Sequence, residues 1–279
     1  MTASPTSALS DATFATPAGL AFDEMAATYD AAFTQSQVGR AQRNCVWHVL
    51  RRTFQPHDRI LELNCGTGED ALFLAGNTMS VYACDASAAM IETAIRRQQT
   101  EAPGTDVTFR HLPTEHIAAL RSANGFDGVL SNFSGLNCVK DLGATAKALS
   151  ELVDPGSVLV LCFSTRFCLT EIFYFLLCGE WRKALRRCSG STTARIGSQR
   201  IEIYYPTVYQ LRKLFAPYFT LRECTGIGVG IPPSYLDSHV AHRPRLFKFL
   251  CLLEHMLAAL PLFRVTGDHM LLTFVRVQR

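Results

Sequence analysis

Two glycines and two acids, Gly66, Gly68, Glu62 and Asp85, have the types and spacing in this chain that could do chemistry. The run Arg59-Ile60-Leu61-Glu62-Leu63-Asn64-Cys65-Gly66-Thr67-Gly68, followed by Ala71-Leu72-Phe73-Leu74-Ala75, reads as a buried strand, a glycine turn and a helix start. That layout brings backbone N–H groups up against a bound ligand. Nineteen residues after Gly66, Asp85 ends a second short apolar run, Val81-Tyr82-Ala83-Cys84, where a carboxylate can take the two hydroxyls of a ribose. Gly66-x-Gly68-x-x-Ala71 also satisfies the dinucleotide fingerprint, and charge separates the two readings. Glu62 stands at the top of the strand, where it would repel a pyrophosphate and attract a ligand carrying an ammonium and a sulfonium.

The block Glu62-x-Asn64-Cys65-Gly66-x-Gly68 resembles the first motif of class I S-adenosylmethionine-dependent methyltransferases, and Ala83-Cys84-Asp85-x-Ser87-x-x-Met90 resembles their second. Phe22-Asp23-x-Met25-Ala26-x-x-Tyr29-Asp30 is similar to the opening motif of the small-molecule members, whose tyrosine closes over the cofactor. Without the resemblance, Tyr29 is equally a packing residue. The likeness covers residues 20 to 164 best and points to the ubiquinone and menaquinone methyltransferase-like group. It implies S-adenosylmethionine as cofactor, held by Tyr29, Glu62, Asn64, Cys65, Gly66, Gly68, Asp85, Ala86 and Met90. It also implies that Ser131-Asn132-Phe133-Ser134-Gly135-Leu136-Asn137, a polar exit from an apolar strand, runs past the methionyl part of the cofactor. Asn132 and Phe133 would meet the cofactor and Asn137 the acceptor. The family usually places an acid after the third strand to meet adenine. Here Arg110-His111-Leu112-Pro113-Thr114-Glu115 has no aspartate at that point, so the adenine contact falls to the main chain of Leu112 or Thr114, or to Glu115.

These residues need a scaffold, and the pattern supplies one. Apolar runs at 59–64, 80–85, 107–111, 126–132 and 157–163 alternate with helical spacing at 69–76, 87–100, 114–122 and 140–152. Asp154-Pro155-Gly156 reads as a turn that ends the last helix and launches the fifth strand. A helix at 206–216 and strands at 219–227 and 269–277 complete an α/β, Rossmann-like, seven-stranded sheet with helices on both faces. Ligands then bind beyond the carboxyl ends of the strands. The expected organisation is a mobile tail over 1–20 and one domain over 21–279. Its parts are N-terminal cap helices (21–55), a core (56–164, 206–227, 268–279) and two lid insertions (165–205 and 228–267). The resemblance implies that the last strand is antiparallel, which sets Asp268-His269 on the cofactor side.

Methyl transfer from a sulfonium is a direct displacement that needs positioning and exclusion of water, and a base only if the acceptor must lose a proton. His269 is the first candidate for that base, with Tyr205, Tyr235 and His239 behind it, and each is equally a structural residue. Tyr204 and His239, with Asn137, are the candidate substrate contacts. Asp268 need not orient His269, since consecutive strand residues point to opposite faces. Glu171, alone in the apolar run Phe167 to Phe175, reads as an ion pair with Arg166. Gly226-Ile227-Gly228-Val229-Gly230 is followed by neither a helix start nor a lysine, so it reads as a strand end rather than a phosphate cradle.

Composition sets the outer limits. The net charge of +3 over 279 residues is too small to argue for nucleic acid. Most of the ten cysteines lie in apolar runs, and the even spacing of Cys168, Cys178 and Cys188 matches no metal-ligand pattern. They suggest buried thiols in a reducing cytosol, and no metal. The runs 167–178 and 246–263 are rich in Phe, Leu and Cys. Such segments cover a core, line a pocket for a bulky, largely apolar acceptor, or meet a bilayer. Arg182, Lys183, Arg186, Arg187, Arg243, Arg245 and Lys248 would add weak peripheral attraction to an anionic membrane. The expectation is a cytoplasmic methyltransferase with a small-molecule acceptor. The competing readings are a non-methylating enzyme on the same cofactor, a non-catalytic cofactor or lipid carrier, and a nicotinamide oxidoreductase.

Overall fold

A computed structural model of the protein describes residues 14–123 and 125–278. Residues 1–13 of the expected tail lie outside them, and residues 17–20 belong to a helix. α1 (Pro17–Tyr29) starts there because the Thr16 hydroxyl accepts the Gly19 N–H at 3.0 Å and proline, at the first helical position, has no N–H to satisfy. A single π turn over Asp30–Thr34 leads into α2 (Gln37–Thr53).

The alternating core then runs β1 (Arg59–Leu63), α3 (Glu69–Gly76), β2 (Ser80–Asp85), α4 (Ala88–Glu101) and β3 (Val107–His111). A 3-10 helix over Thr114–Ala123 replaces the α-helix expected there, followed by β4 (Phe126–Ser131), α5 (Leu142–Ser150) and β5 (Val153–Ser164). Asp154-Pro155-Gly156 does not launch β5. Pairing with β4 steps from Phe126↔Val153 to Gly128↔Val158, so the three residues bulge out of a strand already begun. After β5 come α6 (Leu169–Leu177), α7 (Trp181–Ala184) and a separate hairpin of β6 (Ser191–Ile196) with β7 (Gln199–Tyr204). The chain continues through α8 (Val208–Phe215), β8 (Phe219–Ile227), α9 (Asp237–Ala241), α10 (Pro244–Leu257) and β9 (His269–Arg276).

The seven-stranded sheet has the order β3-β2-β1-β4-β5-β9-β8, with β9 antiparallel to both neighbours. Its strands are apolar on both faces because helices cover both, and alternate residues go to opposite sides. Leu61, Val129, Leu159 and Leu161 pack with α5 and α8 residues such as Leu149 and Phe215. Their neighbours Ile60, Leu130, Val160 and Cys162 pack with Val46, Leu50, Leu74 and Ile91 from α2, α3 and α4. Each such large side chain contributes about 1.5–3 kcal/mol by leaving water. All ten cysteines are free thiols.

The two insertions are fastened through carboxylates. Glu171 on α6, 1% exposed, pairs with Arg186 and Arg187, and not with Arg166, which instead donates to the Tyr205 carbonyl. Arg187 also reaches Asp268 Oδ1 at 2.9 Å. Arg187 is therefore an inner ion-pair partner rather than surface charge. Cys168, Glu171 and Asp268 cluster closely enough to hold a metal ion. The Arg187 guanidinium bonded to both acids supplies the positive charge there instead. On α10, Glu254 accepts the N–H groups of Gly228 and Gly230, both at 2.8 Å.

Removing Arg187 would leave Glu171 and Asp268 buried without their main partner. Arg187→Met should therefore cost about 3–5 kcal/mol in urea unfolding, as broken buried ion pairs do. A loss below about 1 kcal/mol would mean that this pair does not hold the insertion.

Candidate functional site

The loop after β1 is shaped by backbone geometry. Asn64, Gly66 and Gly68 all have left-handed φ, at 55°, 54° and 80°. At Gly68 a Cβ would meet Phe109 Cζ at 2.8 Å and Ala94 Cβ at 2.9 Å, so helix α4 and strand β3 pack where a side chain would be. At Gly66 a Cβ would have only Tyr29 Cε1 within 4.0 Å, and would project into open space. Asn64 keeps its strained conformation by bonding Thr114 Oγ1 at 3.1 Å and Ser131 Oγ at 3.1 Å.

That open space is a cavity, open to solvent on one side, lined by Thr16, Ala18, Phe22, Tyr29, Asn64, Gly66, Asp85, Ala86, Met90, Glu115, Asn132, Phe133, Gly135, Cys138 and Val139. A second, smaller space shares Tyr29, Asn64, Gly66, Asn132 and Phe133 with it, and adds Arg43, Cys65, Thr67, Glu69 and Asp70. The first lies at the carboxyl ends of β1, β2 and β4, the second at those of β1 and β4. One wall is the N-terminal cap, held by two carboxylates of its opening motif. Asp23 accepts the Ser87 hydroxyl at 2.6 Å and the Ala89 N–H at 3.0 Å, at the positive start of α4. Asp30 accepts the Thr67 hydroxyl at 2.7 Å and Arg97 at 2.6 Å.

Negative charge surrounds the floor. Asp85 accepts Gly66 N–H at 2.9 Å and Ser87 N–H at 2.8 Å, one on each oxygen, and burial raises its pKa above the ordinary value. Asp70 gathers Arg43 and Trp47 Nε1, each at 2.6 Å, and Asn132 Nδ2 at 2.9 Å. Glu62 is 1% exposed and its Oε2 has no partner. Burial, then nearby Asp70, push its carboxyl well above the usual range, and Arg43 offsets this only in part. Burial likewise pushes the Tyr29 hydroxyl up to about 12.

Several candidate residues sit elsewhere. Gly68, Leu112 and Thr114 support the floor without lining it: the Leu112 N–H donates to the Asp85 carbonyl, and Thr114 bonds Asn64. Glu115, the third candidate for the adenine contact, does line the larger cavity. Asn137 is fully buried and consumed by backbone. It accepts the Ser164 N–H and donates to the Tyr204 carbonyl, pinning the hairpin to the sheet rather than facing an acceptor. The Tyr204 phenol turns outward to Glu202, and His239 is exposed against Tyr174. Tyr205 lies buried near the Arg187 guanidinium, and Tyr235 packs against Arg186 on the surface. Burial raises both phenols, so neither supplies a phenolate near neutrality. His269 is 7% exposed beside Ser164 and Ile227, with its ring edge-on to Phe133 at 5.5 Å. Its Nδ1 lies 3.5 Å from Asp268 Oδ2 without a hydrogen bond to it, and the ring stands behind Phe133 rather than lining either cavity. Neither insertion contributes a lining residue to the two cavities. Both insertions pack behind the N-terminal cap instead: the Ser198 N–H of the β6–β7 turn donates to Glu24 at 2.7 Å, and Asp237 accepts the Val38 N–H at 2.8 Å.

Sequence reasoning passes over Arg43, Trp47 and Asp70. Arg43 and Trp47 are four apart on α2, hence on one helix face, and Asp70 sits in the first turn after Gly68. Those spacings are the available signals.

The residues fit S-adenosylmethionine. A bare buried carboxylate oxygen at Glu62 suits a cationic ligand, Asp85 retains a lone pair on each oxygen for a ribose diol, and Gly66 leaves open the space that a Cβ would fill. Asp85→Ala should weaken cofactor binding by about 1.5–3 kcal/mol in calorimetry, with some loss of stability because two N–H groups lose their acceptor. Unchanged affinity would remove Asp85 from the site. Glu62 should behave oppositely in the free protein. Its folded pKa is raised, so it stabilises the fold only in acid, and this contribution is lost as pH rises through the folded value. Glu62→Gln should accordingly raise the Tm of the ligand-free protein at neutral pH while shrinking the Tm gain from S-adenosylmethionine.

Residues 60–156 match the family described as a methyltransferase domain. The chain is 34% identical over 152 residues to demethylmenaquinone methyltransferase of Clavibacter sepedonicus, covering 52% of this chain and 57% of that protein. It thus spans little more than half the length of the first curated relatives it matches. Its fold is similar to that of a putative S-adenosylmethionine-dependent methyltransferase from Listeria monocytogenes, with a TM-score of 0.57 at 14% identity over 83% of this chain and 98% of that one. It is also similar in fold to the [4+2]-cyclase SpnF, with a TM-score of 0.62 at 13% identity over 94% and 96% of the two chains. The motifs, the strand order and the carboxylate-floored cavity agree with these matches, and together they support a class I S-adenosylmethionine-dependent methyltransferase.

Proposed function

We propose that the protein transfers a methyl group to a bulky, largely apolar acceptor of the quinone type, by direct displacement. Bound S-adenosylmethionine supplies an electrophilic methyl group on a sulfonium. The chain's part is to hold the donor, orient the acceptor and exclude water. The observation that carries this reading is the mixed lining of the cavity. Apolar Phe22 and Val139 border it beside polar Asn64, Asp85 and Asn132, which supports room for an apolar acceptor next to the donor. The relatives support the acceptor class, since they are named for demethylmenaquinone and 2-phytyl-1,4-naphtoquinone.

Displacement without a covalent relay follows from the thiols. Cys65 and Cys138 line the cavities, but burial pushes the first well above its usual pKa and the second to about 11, so both stay protonated. His269 is the candidate to accept a proton from the acceptor. Burial lowers its pKa, which keeps the ring neutral near neutral pH, and Asp268 stands by to stabilise the charged form. Burial opposes the Asp268 charge, but His269 and Arg187 outweigh it and hold that carboxyl below its usual range.

The test is S-adenosylhomocysteine release with naphthoquinols and benzoquinols, each with and without a long apolar tail. Tailed acceptors should turn over best. A rearranged or cyclised product without S-adenosylhomocysteine would establish the non-methylating alternative, and binding without turnover across the panel the carrier alternative. His269→Ala should slow turnover by about 10²–10⁴-fold with cofactor affinity intact. Normal specific activity with a lower Tm would make it structural. Because the folded pKa of His269 is depressed, its contribution to stability is present above the usual histidine range and lost as pH falls. The wild-type Tm should therefore drop below about pH 6.5 more steeply than that of His269→Ala.

A further inference from the structure

The two insertions carry helices that are inside out. In α6 the buried residue is Glu171, whereas Leu169, Phe173, Leu176 and Leu177, spaced to share one helix face, are between 43 and 82% exposed. α10 repeats the pattern. Its buried residue is Glu254, and Leu246, Phe249, Leu252 and Met256 are between 38 and 59% exposed. An ordinary surface helix turns leucine to the core and charge to water. Both of these helices use the carboxylate as a pin and leave an apolar face outside, and α10 also packs Phe247, Leu250 and Cys251 against Val38, Ile231 and Val240.

The pins meet at one place. Arg187 joins Glu171 to Asp268, the Asp268 N–H donates to the Gly228 carbonyl, and the Gly228 N–H donates to Glu254. Since β5 and β8 run the same way, both insertions leave from the carboxyl edge of the sheet, with their apolar faces turned out. Exposed apolar helix faces at one edge of the sheet mark an interaction site.

The surrounding charge says what kind. Leaving out the buried Arg187, residues 165–188 hold four Lys and Arg against two acids, and residues 242–264 hold four against one, while the whole chain is only +3. Two of those three acids are the buried pins, and the third, Glu180, is paired with Lys183. Trp181 is 60% exposed beneath the Arg182 guanidinium, and Arg245 and Lys248 stand exposed among the leucines of α10. A second copy of the chain would bring this positive rim against itself. An anionic bilayer offers hydrocarbon to the leucines and phenylalanines, a headgroup layer to the tryptophan and negative charge to the rim. Among the described residues, no helix is long and apolar enough to cross a membrane.

We infer that this edge docks on the surface of an anionic lipid bilayer, with α6 and α10 lying in the headgroup layer. The docking is independent of which acceptor is methylated. Flotation of the full chain with phosphatidylcholine vesicles, with and without phosphatidylglycerol, tests it. At low salt the protein should float with the anionic vesicles and stay behind with the neutral ones. Phe173→Ser with Leu177→Ser should lower the bound fraction by about tenfold or more, and so should Arg245→Glu with Lys248→Glu. These side chains are exposed, so both variants should keep the wild-type Tm. Failure of the wild type to float, or flotation of both variants like wild type, would overturn the proposal. So would a dimer in sedimentation equilibrium that the serine variant dissolves, since the face would then be an interface between copies.

Discussion

A carboxylate removed from water must be given a cation or a set of N–H donors, and the described residues bury six: Glu62, Asp70, Asp85, Glu171, Glu254 and Asp268. Five of them have partners, and each pairing fixes a piece of chain that packing alone would leave loose. Asp70 holds α2 to the start of α3 through Arg43 and Trp47. Asp85 ties the loop after β1 to the start of α4. Glu171 and Asp268 share Arg187, and Glu254 takes backbone N–H groups. Only Glu62 keeps a bare oxygen, and it lies among the acids around the cavity. In that arrangement the one unpartnered carboxyl oxygen lies at the end of β1, two residues before the loop that borders the cavity.

The same constraint explains the division of labour between cap and insertions. The cap is fastened across the cavity by Asp23 and Asp30, whose partners are a helix start, a hydroxyl and a guanidinium of α4. These polar links are made at the rim and leave Phe22 and Tyr29 to face the space. The insertions are fastened at β9 through Arg187 and to the back of the cap through Ser198–Glu24 and Asp237–Val38, and none of their residues lines the two cavities.

Much of this was legible in the sequence because it rests on local rules. Alternating apolar periods gave strand positions within a residue or two for β1, β2, β3 and β8, and the glycine spacing with Asp85 located the loop that lines the cavity. What was not legible depends on contacts far apart in the chain. Asn137 has the polarity of a binding residue, and only the fold reveals that Ser164 and Tyr204 consume it. Glu171 was readable as a buried ion-pair member, but nearness in sequence favoured Arg166, whereas the turn after α7 brings Arg186 and Arg187 to it. The inverted faces of α6 and α10 were hidden for the same reason. An apolar run with one acid looks like a core helix until the acid proves to be the inward side.

The two glycine loops at the carboxyl edge make the final distinction. Gly66 and Gly228 both take left-handed φ, and both donate an N–H to a carboxylate of the same chain. After β8 the loop closes completely: Glu254 fills it with bonds from Gly228, Gly230 and Ile231, leaving no room for an outside anion. After β1 the Asp85 carboxylate approaches from the side and spends one oxygen on Gly66, while the position of the missing Cβ stays open beneath Tyr29. A glycine-rich turn is thus a binding site only when its own chain leaves it unfilled, and here the side chain that decides the matter lies nineteen residues after one loop and twenty-six after the other.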